Sequence, residues 1–105
     1  MKKFKIKNMK TEMLEGIAQT IHQTITTHPA RTDVDRMLFS VMGGLVAKFH
    51  DKLNPYKRQV KYSFDLSAPE AFGWRILYWN YCTHLATSVG NTMRMVSDEI
   101  DKYYQ

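Results

Sequence analysis

Few residues in this chain could do nucleophilic or metal chemistry. Cys82 is the one cysteine, and the histidines are His22, His28, His50 and His84. No two of these histidines stand four residues apart, so none forms a helical metal-ligand pair. Cys82 and His84 are two apart and diverge by about 200° on a helix. The expectation is satisfied surface or core histidines, with no metal and no cofactor. For Cys82 the sequence places no obvious histidine to activate a nucleophile. Gly43-Gly44 lies inside a helical pattern and lacks the strand–loop–helix setting of a phosphate loop. The carboxylates Asp33 and Asp35 are explained by capping. Asp98, Glu99 and Asp101 stand where a helix dipole disfavours negative charge. They either meet lysines of the N-terminal arm or of a neighbouring subunit, or form a frayed, solvated tail.

Binding chemistry is better supplied. Net charge is +5, and Lys2, Lys3, Lys5, Lys7 and Lys10 occupy the first ten residues with no acid among them. A second basic run holds Lys48, Lys52, Lys57, Arg58 and Lys61 against Asp51. Charge segregated in this way favours an anionic partner or electrostatic self-association. Lys3, Lys5, Lys7, Lys57, Arg58 and Lys61 form the candidate patch for such a partner, either nucleic acid or an acidic protein. The plainer reading is that outward lysines solubilise the chain and block edge-to-edge strand pairing. Arginine, which dominates direct base readout, is outnumbered by lysine, so any nucleic-acid binding here is expected to be non-specific.

The other concentration is aromatic. Phe72, Trp74, Tyr78, Trp79 and Tyr81 fall within ten residues. At about 100° per residue, Trp74, Tyr78 and Tyr81 lie on one side of a helix, with Phe72, Ile76 and Trp79 roughly opposite. Both sides need cover, so this segment is the middle of the core, an interface, or each on one face. Interfaces enrich Trp, Tyr and Met, and two-fold dimers are the commonest oligomers. Self-association is therefore assigned to Trp74, Tyr78, Trp79, Tyr81, Val89, Met93 and Val96, as a homodimer.

The elements that would position these residues are mainly helical. A stripe of Leu14, Ile17, Ala18, Ile21 and Ile25 predicts a helix over about 11–27, capped by Thr11 or Asn8 and stopped before Pro29. A second, over 33–53, is capped by Thr32, with Asp35 closing the box. Its stripe is Val34, Met37, Leu38, Val41, Met42, Leu45, Phe49 and Leu53. Gly43-Gly44 in its middle predicts close approach of another backbone, that of the aromatic helix. The third helix, over 68–103, opens with Ser67, Pro69 and Glu70. Its seam runs Trp74, Tyr78, Tyr81, Leu85, Val89, Met93, Val96, Ile100 and Tyr103 in steps of three or four. That phase argues for one axis of about 52 Å, with a kink or short break near Gly90 because Thr87, Ser88, Val89, Gly90, Asn91 and Thr92 are poor helix formers. The period changes to two at Val60, Tyr62, Phe64 and Leu66, and again at Phe4 and Ile6. These pieces, within 59–66 and 3–7, are expected to pair as a small ribbon.

The fold class is thus a mainly α single domain over 1–105: a three-helix bundle with a long C-terminal helix, a basic arm over 1–10 and an extended basic loop over 54–67. No apolar run approaches the roughly 20 residues of a membrane span, and the basic N-terminus is not followed by a secretory h-region. A cytoplasmic protein without a membrane partner is expected. The function expected is a non-enzymatic interaction module. The alternatives are a nucleic-acid-binding accessory protein and a small enzymatic or ligand-binding bundle using Arg75, Asn80 and His84.

Overall fold

The computed structural model describes residues 2–105, the side chain of Lys57 excepted. In chain order the elements are strand β1 (Phe4–Lys10), helices α1 (Thr11–Thr27) and α2 (Asp33–Lys52), strand β2 (Lys61–Leu66), and helices α3 (Ala68–Leu77) and α4 (Ser88–Tyr103). The molecule is mainly helical, with a small two-stranded antiparallel sheet. Each helix packs on the next and α4 returns to α1, closing a ring around the core.

Local chemistry sets the helix ends. At α2, Thr32 accepts from the Asp35 N–H at 3.1 Å, and the Asp35 carboxylate accepts from the Thr32 N–H at 3.3 Å. Ser67 and Glu70 make the same reciprocal pair at α3, with Pro69 in the first turn where its missing N–H costs nothing. The start of α1 differs from expectation. Lys10 occupies the cap position and its side chain makes no capping bond. Thr11 instead donates its hydroxyl to the Gln59 carbonyl, tying α1 to the loop before β2. His28, preceding Pro29, is extended and ends α1.

The third helix is not continuous. After Leu77 the chain widens into a π turn over Tyr78–Cys82 and then leaves the helix. Thr87 caps a new helix by accepting from the Gly90 N–H at 3.1 Å. The chain breaks over residues 83–87, just before Gly90, and reverses there instead of continuing one axis, so four helices replace the expected three. The Trp74 indole donates to the Met93 carbonyl at 3.0 Å. A single straight helix would hold residues nineteen apart about 28 Å from one another, so α3 and α4 must fold back together.

The ribbon pairs Phe4 with Leu66, Lys5 with Asp65, Ile6 with Phe64, Met9 with Tyr62 and Lys10 with Lys61. A bulge at Lys7 and Asn8 interrupts it. Asn8 takes a left-handed φ of 58°, a conformation Asn tolerates, and donates its N–H to the Ser63 hydroxyl at 3.1 Å. The extra residue brings Met9 back to the inner face, beside Phe4, Ile6, Tyr62, Phe64 and Leu66, all buried in the core.

Gly43 and Gly44 do not sit at a close approach. A Cβ at Gly43 would make ordinary contact with Ile25, and one at Gly44 would meet nothing. The tight glycine between α2 and α3 is Gly73, where a Cβ would lie 2.9 Å from the Met42 sulfur. The α2 stripe is likewise shorter than its sequence suggests. Its buried part begins at Leu38, and Val34 and Met37 face outward.

Candidate functional site

Two surfaces bring several exposed side chains of one kind together, one apolar and one basic.

The apolar surface lies between α2 and α3. Phe72 and Ile76 stand on the face of α3 opposite Trp74, and the exposed Trp79 follows Ile76 by three residues in the π turn. Val34 and Met37 approach from α2, and Val34, Met37, Val41, Phe72 and Ile76 line a shallow groove of about 190 Å³. The five outermost side chains, Val34, Met37, Phe72, Ile76 and Trp79, leave between 37% and 65% of their surface open. The exposed ion pair of Arg36 with Asp33, at 2.9 Å, lies in the first turn of α2 near this surface.

The residues of the aromatic seam are placed elsewhere. Trp74, Tyr78, Met93 and Val96 are buried inside the chain, and Tyr81 and Val89 are half-buried against the core. Of the seven residues the sequence suggests for self-association, Trp79 is the one with a largely exposed side chain. The exposed partners Phe72 and Ile76 are legible in the sequence as the face opposite Trp74. Val34 and Met37 carry no sequence signal that separates them from the rest of the α2 stripe.

The basic surface is the outer face of the ribbon and its flanks. Lys3, Lys5, Lys7, Lys10 and Lys61 are all exposed. Lys10 and Lys61 stand directly opposite each other, a like-charge pairing that costs stability. Lys5 is opposite Asp65, which offsets that position. Arg58 is drawn away from the patch: its guanidinium pairs with Glu15 on α1 at 2.7 Å. The side chain of Lys57 lies outside the described residues. Asp101 pairs with Arg75 at 3.4 Å, so one of the C-terminal acids has an intrachain cation, and α4 runs helical to Tyr103.

The two edges of the ribbon differ. Beside β2, Lys48 from α2 donates to the Asp65 carbonyl at 3.1 Å and pairs with Glu70 at 3.3 Å. Beside β1 lies a groove of about 460 Å³, lined by every residue from Lys5 to Lys10 and, across from them, by Met13, Thr92, Val96 and Glu99. Its Lys3 end is closed by the C-terminus. Tyr103 donates to the Lys3 carbonyl at 2.8 Å and Tyr104 to the Lys2 carbonyl at 2.6 Å. Rings continue this clasp: Phe4 to Tyr103 at 5.5 Å, Tyr103 to Tyr104 at 5.0 Å, and Tyr104 to Phe72 at 4.9 Å.

Cys82 and two of the four histidines, His28 and His84, line one cavity. Cys82 is buried, 3.9 Å from the Thr24 hydroxyl, and burial pushes its thiol above the ordinary value while Thr24 pulls weakly back. A cavity of about 230 Å³ beside it is lined by His28, Tyr81 and His84, with His28 Nδ1 2.9 Å from the Thr24 carbonyl. Arg75 and Asn80 do not line this cavity, so the three polar groups suggested for a ligand pocket are not brought together there. Among the described residues, no group of three His, Cys, Asp or Glu side chains could hold a metal ion, and no helix is long and apolar enough to cross a membrane.

In comparison with known proteins, no family model, no curated protein and no solved structure matches this chain.

Proposed function

We propose that this chain is a non-enzymatic interaction module that self-associates through the apolar face shared by α2 and α3, leaving the basic ribbon for an acidic partner. The supporting observation is the exposure of Val34, Met37, Phe72 and Ile76 around one groove, with the exposed Trp79 three residues beyond Ile76. Side chains of this size carry roughly 150–250 Å² each, so the open part amounts to on the order of 500 Å². A standard interface takes about 800 Å² from each partner, a little over half of it apolar. The patch therefore matches the apolar centre of one such interface. A second copy is the occupant that fits. The patch can face itself across a two-fold axis, and the nearby Asp33 and Arg36 supply both signs of charge for a self-complementary rim.

Sedimentation equilibrium over a concentration series tests this. The wild-type chain should form a dimer, and Met37→Glu and Ile76→Glu should each yield a monomer with an unchanged far-UV circular dichroism spectrum. A wild-type chain that stays monomeric at several hundred micromolar overturns the reading.

A further inference from the structure

We infer that the free edge of β1 is a docking site for an extended acidic peptide, which adds to the ribbon as a third strand. The inference deepens the interaction-module reading by naming the chemistry of the acidic partner, and it does not depend on self-association.

The groove beside β1 has the form such a peptide needs. Side chains of a strand alternate between its two faces, yet all six consecutive residues from Lys5 to Lys10 line one groove. A continuous run of this kind means that the strand's edge, main chain included, forms the wall. In a two-stranded sheet β1 has β2 on one side only, and every second residue turns its N–H and C=O away from that partner. Toward the Lys3 end the main chain is occupied by the tyrosine hydroxyls, whereas beside β2 it is met by Lys48. Among the described residues, the stretch from Lys5 to Lys10 is an edge that neither the tyrosines nor Lys48 meets.

Side chains select the occupant. The half-buried Met13 and the small open parts of the otherwise buried Met9 and Val96 form an apolar floor, and Lys5, Lys7 and Lys10 stand along the wall against the single acid Glu99 of the lining. Alternating apolar and acidic residues satisfy both at once, because one set faces the floor and the other the lysines. Charge also disfavours the competing occupant. A second copy pairing β1 to β1 would set lysines against lysines, the device by which exposed edges resist self-addition. The bulge at Asn8 divides the edge, so pairing is expected on either side of it rather than through it.

The test is fluorescence anisotropy of a labelled hexapeptide alternating glutamate and valine, titrated with the full chain. Saturable binding is expected, and replacing its glutamates with lysines should abolish it. Strand addition uses the amides of only one alternate residue set. N-methylation of one set should therefore weaken binding at least tenfold, and methylation of the other should weaken it far less. Lys5→Glu with Lys7→Glu should also remove binding, and Lys5→Ala with Lys7→Ala should weaken it should the charge reversal disturb folding. Absence of peptide binding, or equal behaviour of the two methylated peptides, overturns the inference. Tighter binding of a labelled single-stranded oligothymidylate of equal charge also overturns it, in favour of a phosphate backbone. Repeating the titration with Met37→Glu separates the two readings, since that change touches self-association and not the β1 groove.

Discussion

The indole of Trp74 donates its N–H to the main-chain carbonyl of Met93, 3.0 Å away and buried. This bond joins α3 to α4 and has a consequence one turn further along α4. Ser97 is fully buried and its hydroxyl has no hydrogen-bond partner among the described residues. A helical serine ordinarily donates back to the carbonyl four residues earlier, here that of Met93. Trp74 already occupies that acceptor.

Ser97→Ala should therefore be neutral or stabilise the chain by up to about 1 kcal/mol, because it removes an unsatisfied buried hydroxyl. Trp74→Phe should destabilise by about 1–3 kcal/mol through lost volume and the lost bond. The two changes should not add. With Trp74 replaced, Ser97 can reach the Met93 carbonyl, so Trp74→Phe should cost more when residue 97 is alanine. Urea unfolding of the four chains measures the cycle, and a Ser97→Ala loss above 1 kcal/mol would show that the hydroxyl has a partner.

Two glycines should respond oppositely to alanine. Gly44 is an exposed helical position with open space around it, so Gly44→Ala should add about 0.5–1 kcal/mol. At Gly90 a Cβ would collide with the Leu85 carbonyl oxygen, a backbone atom of the turn that reverses the chain. That turn cannot yield as a flexible side chain would, so Gly90→Ala should cost about 2–4 kcal/mol. Thermal unfolding of both variants checks the signs. A tolerated Gly90→Ala would mean that the turn between α3 and α4 is looser than described.

The Cys82 thiol has a pH signature. Burial, the larger influence, raises its pKa above 9.0, so the folded chain holds the thiol proton more tightly than the unfolded chain does. Below the unfolded value both states keep the proton and this contribution to stability is complete. As pH rises from the unfolded value through the folded one, the unfolded state deprotonates first and the contribution is lost. Stability of wild type should fall more steeply above pH 9 than that of Cys82→Ala, measured by urea midpoints across pH. An aromatic disulfide reagent at pH 8 should react slowly in native buffer and rapidly in urea. Fast native labelling would contradict the burial of Cys82.

The sequence by itself determined the starts of α2 and α3 and the stop of α1, and the reason is local. The capping boxes at Thr32 and Ser67 and the stop before Pro29 are each written within four residues and need no distant contact. The alternation around Phe64 likewise announced a strand, and the lysines of β1 were visible as an outward basic face. What tertiary structure decided was which apolar residues are covered. The seam from Trp74 to Tyr103 keeps a helical phase on either side of the break, so periodicity reads one axis where the chain makes two. Thr87 and Ser88 announce a cap only once α4 has turned back to bring Met93 to the Trp74 indole. That reversal buries Trp74, Tyr78, Met93, Val96 and Ile100 of the seam within the chain and leaves Phe72, Ile76 and Trp79 exposed on the other face of α3 and its π turn. Periodicity identifies the side of a helix that needs cover. Only the packing of α3 against α2 and α4 decides whether the chain covers that side itself or leaves it for a partner.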